Sequence, residues 1–186
     1  APRRDAQSRF AAARGGNIFV TTAVASGTKQ TVQLGATGEP TPAEEAVPHE
    51  WLVLSFDSDT GKERWRRTAW KGLPRATRHV KATQANTSVA TNGSVVVAFF
   101  GSEGLHCYDM NGRLLWTRDL GRINVSKYDI GWGYASSPAL HGNTIVLLCD
   151  APEDPYIAAF RLSDGKELWR VSRKGLCERS WGTPFI

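Results

Sequence analysis

The chain has 186 residues, 41% of them hydrophobic and 22% charged, the composition of a soluble globular protein with one packed core rather than a chain disordered throughout. Its formal charge of +5 favours encounter with acidic partners without defining a site, and no apolar run approaches the roughly 20 residues of a membrane-spanning helix. The cysteines, Cys107, Cys149 and Cys177, are far apart and form no Cys-x-x-Cys pair, which excludes a disulfide framework or thiolate metal centre as the organising feature; the first two sit in apolar strand-like runs as buried thiols.

The chain opens on Ala1-Pro2-Arg3-Arg4, without an initiator methionine or an apolar signal core, as a processed or truncated end would. A short small-residue strand is predicted at 8–13, a glycine turn at Arg14-Gly15-Gly16-Asn17, and a β-branched strand at 18–24. Residues 26–50, with Gly35, Gly38, Pro40, Pro42 and Pro48, read as a long surface-loop insertion. An apolar strand at 51–56 then runs into Asp57-Ser58-Asp59-Thr60-Gly61, and the chain reverses through Trp65. The same order returns twice. Strands at 87–91 and 94–100 flank Asn92-Gly93, followed by 105–108, Asn111-Gly112 and Trp116; strands at 137–140 and 144–149 flank His141-Gly142-Asn143, followed by 156–160, Asp164-Gly165 and Trp169.

These are three four-stranded units, at 8–70, 86–120 and 134–173, within a single repeat domain, and 181–186 matches the opening strand of one more. In each, a glycine supplies the positive φ of a hairpin turn, and a tryptophan follows four residues later, an even step along the strand. Trp65, Trp116 and Trp169, with Gly61, Gly112 and Gly165, are therefore expected to dock one sheet on the next as core. The fold class is all-β, and the recurring Gly-x-x-x-Trp hairpin favours a partial propeller over a sandwich.

The connections between units differ from the units themselves. Residues 71–85 carry Arg75, Arg78, His79 and Lys81, and 121–133 carry Asn124, Lys127, Tyr128, Asp129 and Trp132. In a propeller such outer-to-inner connections gather around the channel, so His79, Lys81, Asn86, Trp132, Tyr134 and Trp181 form the candidate ligand-binding set. No catalytic residue and no metal site is expected: Asp57, Asp59, Asp109 and Asp164 fall in turns where aspartate serves the backbone, the four histidines are scattered, with His106 placed in a strand and His141 in a turn, and no Gly-x-Ser-x-Gly elbow or phosphate loop occurs. The basic run Lys62, Arg64, Arg66, Arg67, Lys71, Arg75, Arg78, Lys81 around Trp65 and Trp70 has the composition of a nucleic-acid surface, but it also fits the solvated face of an outer strand, and nucleic acid is not expected.

The turn-and-tryptophan segments, Phe56-Asp57-Ser58-Asp59-Thr60-Gly61 with Trp65 above all, resemble the pyrroloquinoline quinone (PQQ)-like repeat family. Tyr108-Asp109 to Trp116 is one residue shorter, and Phe160-Arg161 replaces the aspartate. The resemblance implies blades of a seven- or eight-bladed propeller, in a group that includes quinoprotein dehydrogenases, an outer-membrane assembly lipoprotein and secreted bacterial proteins. It also implies a periplasmic or secreted setting, and either further blades of the same chain or a second copy to close the ring. The function expected is a non-catalytic binding or scaffolding segment for a protein or small ligand, without cofactor. The alternative is a fragment of a PQQ-dependent oxidoreductase, which would hold PQQ and calcium.

Overall fold

The computed structural model describes residues 12–26, 47–76, 82–123, 134–176 and 180–185. Among them, strands form three antiparallel sheets of four. The first contains β1 (Ala12–Arg14), β2 (Asn17–Ala25), β3 (His49–Asp57) and β4 (Glu63–Gly72); the second β5 (Ala90–Thr91), β6 (Val95–Phe99), β7 (Leu105–Asp109) and β8 (Leu114–Arg118); the third β9 (Ala139–His141), β10 (Thr144–Cys149), β11 (Tyr156–Arg161) and β12 (Glu167–Ser172). Each sheet keeps its strands in chain order. The first strands β1, β5 and β9 lie against one another in succession, so the sheets fan out from a common axis: this is a partial, unclosed β-propeller.

Side-chain alternation explains the stacking. Along the central strands of the second sheet, Val96, Ala98 and Tyr108 face the first sheet, where they pack with Phe19, Trp51, Val53 and Trp65. Val97, Phe99, Leu105 and Cys107 face the third, against Ile145, Leu147, Cys149 and Phe160. A strand buried on both faces cannot alternate apolar with polar, which is why 95–100 reads Val-Val-Val-Ala-Phe-Phe. Cys107 and Cys149 are both buried free thiols, and burial pushes them up to about 12 and about 11, far from the thiolate form a nucleophile needs. Cys177 lies outside the described residues.

The hairpins differ from a plain even-step reading. Ser55 faces Trp65 but Phe56 faces Glu63; Cys107 faces Trp116 but Tyr108 faces Leu114; Ala159 faces Trp169 but Phe160 faces Glu167. One residue, Arg64, Leu115 or Leu168, is thus extra in each outer strand. The tryptophan is aimed by a β-bulge at the same place in all three units, not by uninterrupted alternation.

The indoles also part company. Trp65 is 8% exposed and donates its indole N–H to the Met110 carbonyl in the next sheet's hairpin at 2.9 Å. Trp116, half-buried, repeats this on the Leu162 carbonyl at 2.9 Å. Two residues on, Arg67 Nε donates to the Gly112 carbonyl and Arg118 Nε to the Gly165 carbonyl, each at 2.7 Å. Trp169, expected in the core, is instead 44% exposed, because no described sheet stands beyond the third to cover it; Val171 occupies the position of those arginines. At the opposite flank, a Cβ on Gly61 would meet nothing within 4 Å, whereas Gly112 and Gly165 lie under indoles.

Further boundaries need correcting. His49 and Glu50, read as part of the insertion, pair with Ala25 and Val24 inside β2–β3, and His141 ends β9 rather than occupying the turn. The insertion itself, 27–46, lies outside the described residues, as do 8–11 of the predicted first strand.

Candidate functional site

Up-and-down order sorts the connections by end. The tight turns β1–β2, β3–β4, β5–β6, β7–β8, β9–β10 and β11–β12 lie at one end of the sheets, and the connections β2–β3, β4–β5, β6–β7, β8–β9 and β10–β11 at the other. At this second end the β4–β5, β6–β7 and β8–β9 connections line a small open recess, with about 20 Å³ of enclosed space, whose walls include Thr83, Gln84, Asn86, Ser102, Glu103 and Tyr134.

Asn86 ties the β4–β5 connection together. Its side-chain oxygen accepts the Thr83 backbone N–H at 2.9 Å and the Thr83 hydroxyl at 3.0 Å, and its side-chain nitrogen donates to the Thr83 carbonyl at 2.8 Å and the Tyr134 carbonyl at 3.4 Å. Gln84 is held from both sides, its carbonyl accepting the Trp51 indole N–H at 2.9 Å and its side-chain nitrogen donating to the Ala76 carbonyl at 3.4 Å. Tyr134 sits edge-on to Phe99, with centroids 4.9 Å apart, and donates its hydroxyl to the Leu148 carbonyl at 2.5 Å. Burial raises that phenol well above the ordinary tyrosine value, so it stays protonated as a donor.

The β6–β7 connection is a 3₁₀ turn, Gly101–Glu103. A Cβ on Gly101 would come within 3.1 Å of Tyr134 Cβ, so a glycine lets Tyr134 close over the turn. Glu103 is 6% exposed, and its Oε1 accepts the Arg75 backbone N–H at 2.8 Å. The Arg75 guanidinium goes elsewhere, to the Ser102 carbonyl at 2.8 Å and to Asp119 at 2.9 Å. Burial raises the Glu103 carboxyl above its ordinary value, opposed by the backbone N–H groups of Arg75 and of Glu103 itself and by the Arg75 charge. His106 donates Nε2–H to the Glu103 carbonyl at 3.0 Å; its Nδ1 is buried with no hydrogen-bond partner, and burial lowers its pKa, keeping the ring neutral.

Of the candidate set, the structure brings Asn86 and Tyr134 into one recess. His79, Lys81 and Trp132 lie outside the described residues. Trp181 is 42% exposed and does not line the recess; it opens a segment whose Gly182 carbonyl accepts Ser136 Oγ at 2.5 Å and whose Thr183 Oγ1 accepts the Ser137 N–H at 3.2 Å. The Ser88 N–H makes the corresponding bond to Ser137 Oγ at 2.9 Å, so the same step links successive inner strands. Sequence reasoning missed Glu103, Ser102, Thr83 and Gln84. The signal available was a carboxylate held between Gly101 and Gly104 in an otherwise apolar hairpin. Within the basic run, Arg64 pairs with Asp57, Arg66 with Glu63 and Arg75 with Asp119. Among the described residues no group of three or more His, Cys, Asp or Glu is placed to hold a metal ion, and no helix is long and apolar enough to cross a membrane.

A family model described as outer membrane protein assembly factor BamB matches residues 49–183. No curated protein sequence matches the chain. Among solved structures it is similar to a europium-containing methanol dehydrogenase (TM-score 0.50, 11% identity, over 88% of this chain and 24% of that one). It is also similar to the quinohemoprotein alcohol dehydrogenase from Comamonas testosteroni (TM-score 0.45, 16% identity, 68% and 20%) and to BamB from Moraxella catarrhalis (TM-score 0.43, 16% identity, 68% and 33%). At these identities the first likeness speaks to the fold alone, and the chain spans a third or less of each of these proteins.

Proposed function

Since the chain belongs to the family of the outer membrane protein assembly factor BamB, we propose that it is a non-catalytic binding or scaffolding segment of a PQQ-like propeller, working outside the cytoplasm and taking a protein or small ligand at the end where the inter-sheet connections meet. The observation that carries the reading is the recess itself, where neutral polar groups and one buried carboxylate converge from three connections. Concave sites with a few convergent polar groups on a rigid sheet scaffold are where ligands bind.

Its chemistry favours holding over turnover. The buried thiols are kept protonated, and the buried His106 Nε2 is committed to the Glu103 backbone carbonyl. The reading needs no cofactor. Its competitor, a piece of a quinone-dependent oxidoreductase, needs PQQ and calcium, so one set of titrations separates them. Amide spectra of the ¹⁵N-labelled chain are followed as short peptides, small polar molecules, and PQQ with calcium chloride are added in turn. We expect binders among the first two classes to shift residues 83–87, 101–104 and 134. Shifts centred on the opposite-end turns at 92–93 and 111–112 would reject the site. Saturable PQQ binding with dye reduction from an alcohol would replace the function.

A further inference from the structure

Two carboxylates in the described structure are almost wholly buried, and they are treated differently. Asp150, 0% exposed, is gripped by Arg173 through two hydrogen bonds of 2.7 and 3.3 Å. Glu103 receives the Arg75 backbone N–H while the Arg75 guanidinium binds Ser102 and Asp119. Among the described residues, Glu103, Asp119 and Arg75, when ionised, therefore sum to one negative charge, and neutral His106 does not alter the sum. A buried carboxylate without a full counter-ion is unfavourable: burial favours its protonated form, and a cation that supplies the opposite sign favours the ionised one.

The rest of the wall has a matching polarity. The Thr83 hydroxyl gives its hydrogen to Asn86 and the Gln84 amide gives its nitrogen to Ala76. The Thr83 oxygen also accepts the Ala85 N–H at 3.1 Å, which leaves it one lone pair, while the Gln84 side-chain oxygen keeps both, and the two residues line the same recess as Glu103. An acceptor-rich recess with an incompletely paired carboxylate selects donors that carry positive charge. Its enclosed space, about 20 Å³, takes a group the size of a water molecule or an ammonium head.

We propose that this recess receives an organic cation, the ammonium or guanidinium tip of a lysine or arginine side chain presented by a partner polypeptide, with Glu103 as its counter-ion. The inference rests on the binding reading above and narrows it to a ligand chemistry. Because burial holds the Glu103 carboxyl above its ordinary value, binding of a cation strengthens as pH rises through that titration and pulls the titration down in return. The groups facing Glu103 in this balance are Arg75 from the β4–β5 connection, Asp119 from the β8–β9 connection and His106 on β7.

The test uses the whole chain carrying ¹³C-labelled glutamate, with the Glu103 carboxyl resonance assigned by its loss in Glu103→Gln. N-acetyl-lysine amide, N-acetyl-arginine amide, the uncharged isostere N-acetyl-norleucine amide, methylammonium chloride and calcium chloride are titrated separately from pH 5 to 8. We expect the lysine and arginine amides to move the Glu103 resonance, to bind more tightly at the upper end of the range than at the lower, and to lose at least tenfold in affinity in Glu103→Gln, whose amide spectrum stays that of the folded chain. Equal binding by the norleucine amide, or unchanged affinity in Glu103→Gln, overturns the proposal while leaving the recess a binding site. Methylammonium binding as tightly as the lysine amide overturns the polypeptide source, and calcium moving the same resonance at lower concentration makes it a metal site instead. If no probe moves the resonance, the proposal is rejected, whereas the binding reading stands or falls on the location of shifts in the broader screen.

Discussion

Gly61, Gly112 and Gly165 hold the same turn position with φ of 67°, 80° and 67°, yet only two of them carry a second duty. A Cβ at Gly112 would lie 2.7 Å from Trp65 Cδ2 and one at Gly165 2.6 Å from Trp116 Cε3, while one at Gly61 would meet open space. The left-handed backbone alone disfavours alanine by about 1–2 kcal/mol. Displacing a packed ring adds about 1–3 kcal/mol, as overpacking does elsewhere. Gly61→Ala is therefore expected to show only the backbone penalty, and Gly112→Ala and Gly165→Ala that penalty plus the ring's. Urea unfolding of the three variants measures the difference, and three equal losses would mean that the indoles shift aside without energetic consequence. The turn glycines were legible in the sequence because a hairpin demands positive φ whatever surrounds it. Their pressure against the neighbouring indole was not, since that depends on which sheet stands next.

The same distinction separates the outer strands. β4 and β8 each present an indole N–H and, two residues later, an arginine Nε to carbonyls of the following hairpin, so each of these units grips the next at two points of a single turn. β12 keeps the tryptophan but has Val171 in place of the arginine, and both Trp169 and Val171 are exposed. Motif and burial thus come apart: Gly-x-x-x-Trp placed all three hairpins from sequence, but the bulges at Arg64, Leu115 and Leu168 and the uncovered Trp169 follow from pairing register and from neighbours, which a linear pattern does not encode. Trp116→Ala is expected to destabilise the chain by about 3 kcal/mol, the low end of the large-to-small range because the ring is half-buried. Trp169→Ala should lose about 1 kcal/mol, in keeping with its smaller buried area. Arg118→Met, which removes the donor to Gly165, should lose about 1 kcal/mol for a net hydrogen bond. Thermal and urea denaturation of the three variants tests the ranking; a Trp169→Ala loss equal to that of Trp116→Ala would show that the third sheet's flank is covered.

At the scale of the molecule, the inner-strand borders were readable and the middle of the site was not. Asn86 and Tyr134 stand where a connection meets an inner strand, a place that repeat phasing fixes, and the structure joins them through the Asn86 side chain and the Tyr134 carbonyl. Glu103 belongs to a three-residue turn between β6 and β7, where phasing predicts only that the chain reverses; its burial arises from the β4–β5 connection, which lays the Arg75 backbone against it. Stacking of units also sets where stability is concentrated. In an array whose members touch only their neighbours, a sheet covered on both flanks is tied by two interfaces and a terminal one by one. Val96, Val97 and Ala98 in β6 are fully buried by contacts from both sides, while every residue of β12 is exposed. Opening β12 exposes little apolar surface, so it proceeds without the rest, whereas opening β6 breaks both cores and requires global unfolding. Native-state hydrogen exchange should accordingly find β6 and β7 amides at the global unfolding free energy, with the same urea dependence as the whole chain, and β12 amides at least about 2 kcal/mol lower with little urea dependence. Amides of β12 exchanging at the global value would mean that the flank bearing Trp169 is held as firmly as the one between the first and second sheets, and the nearest-neighbour account of this propeller segment would have to be abandoned.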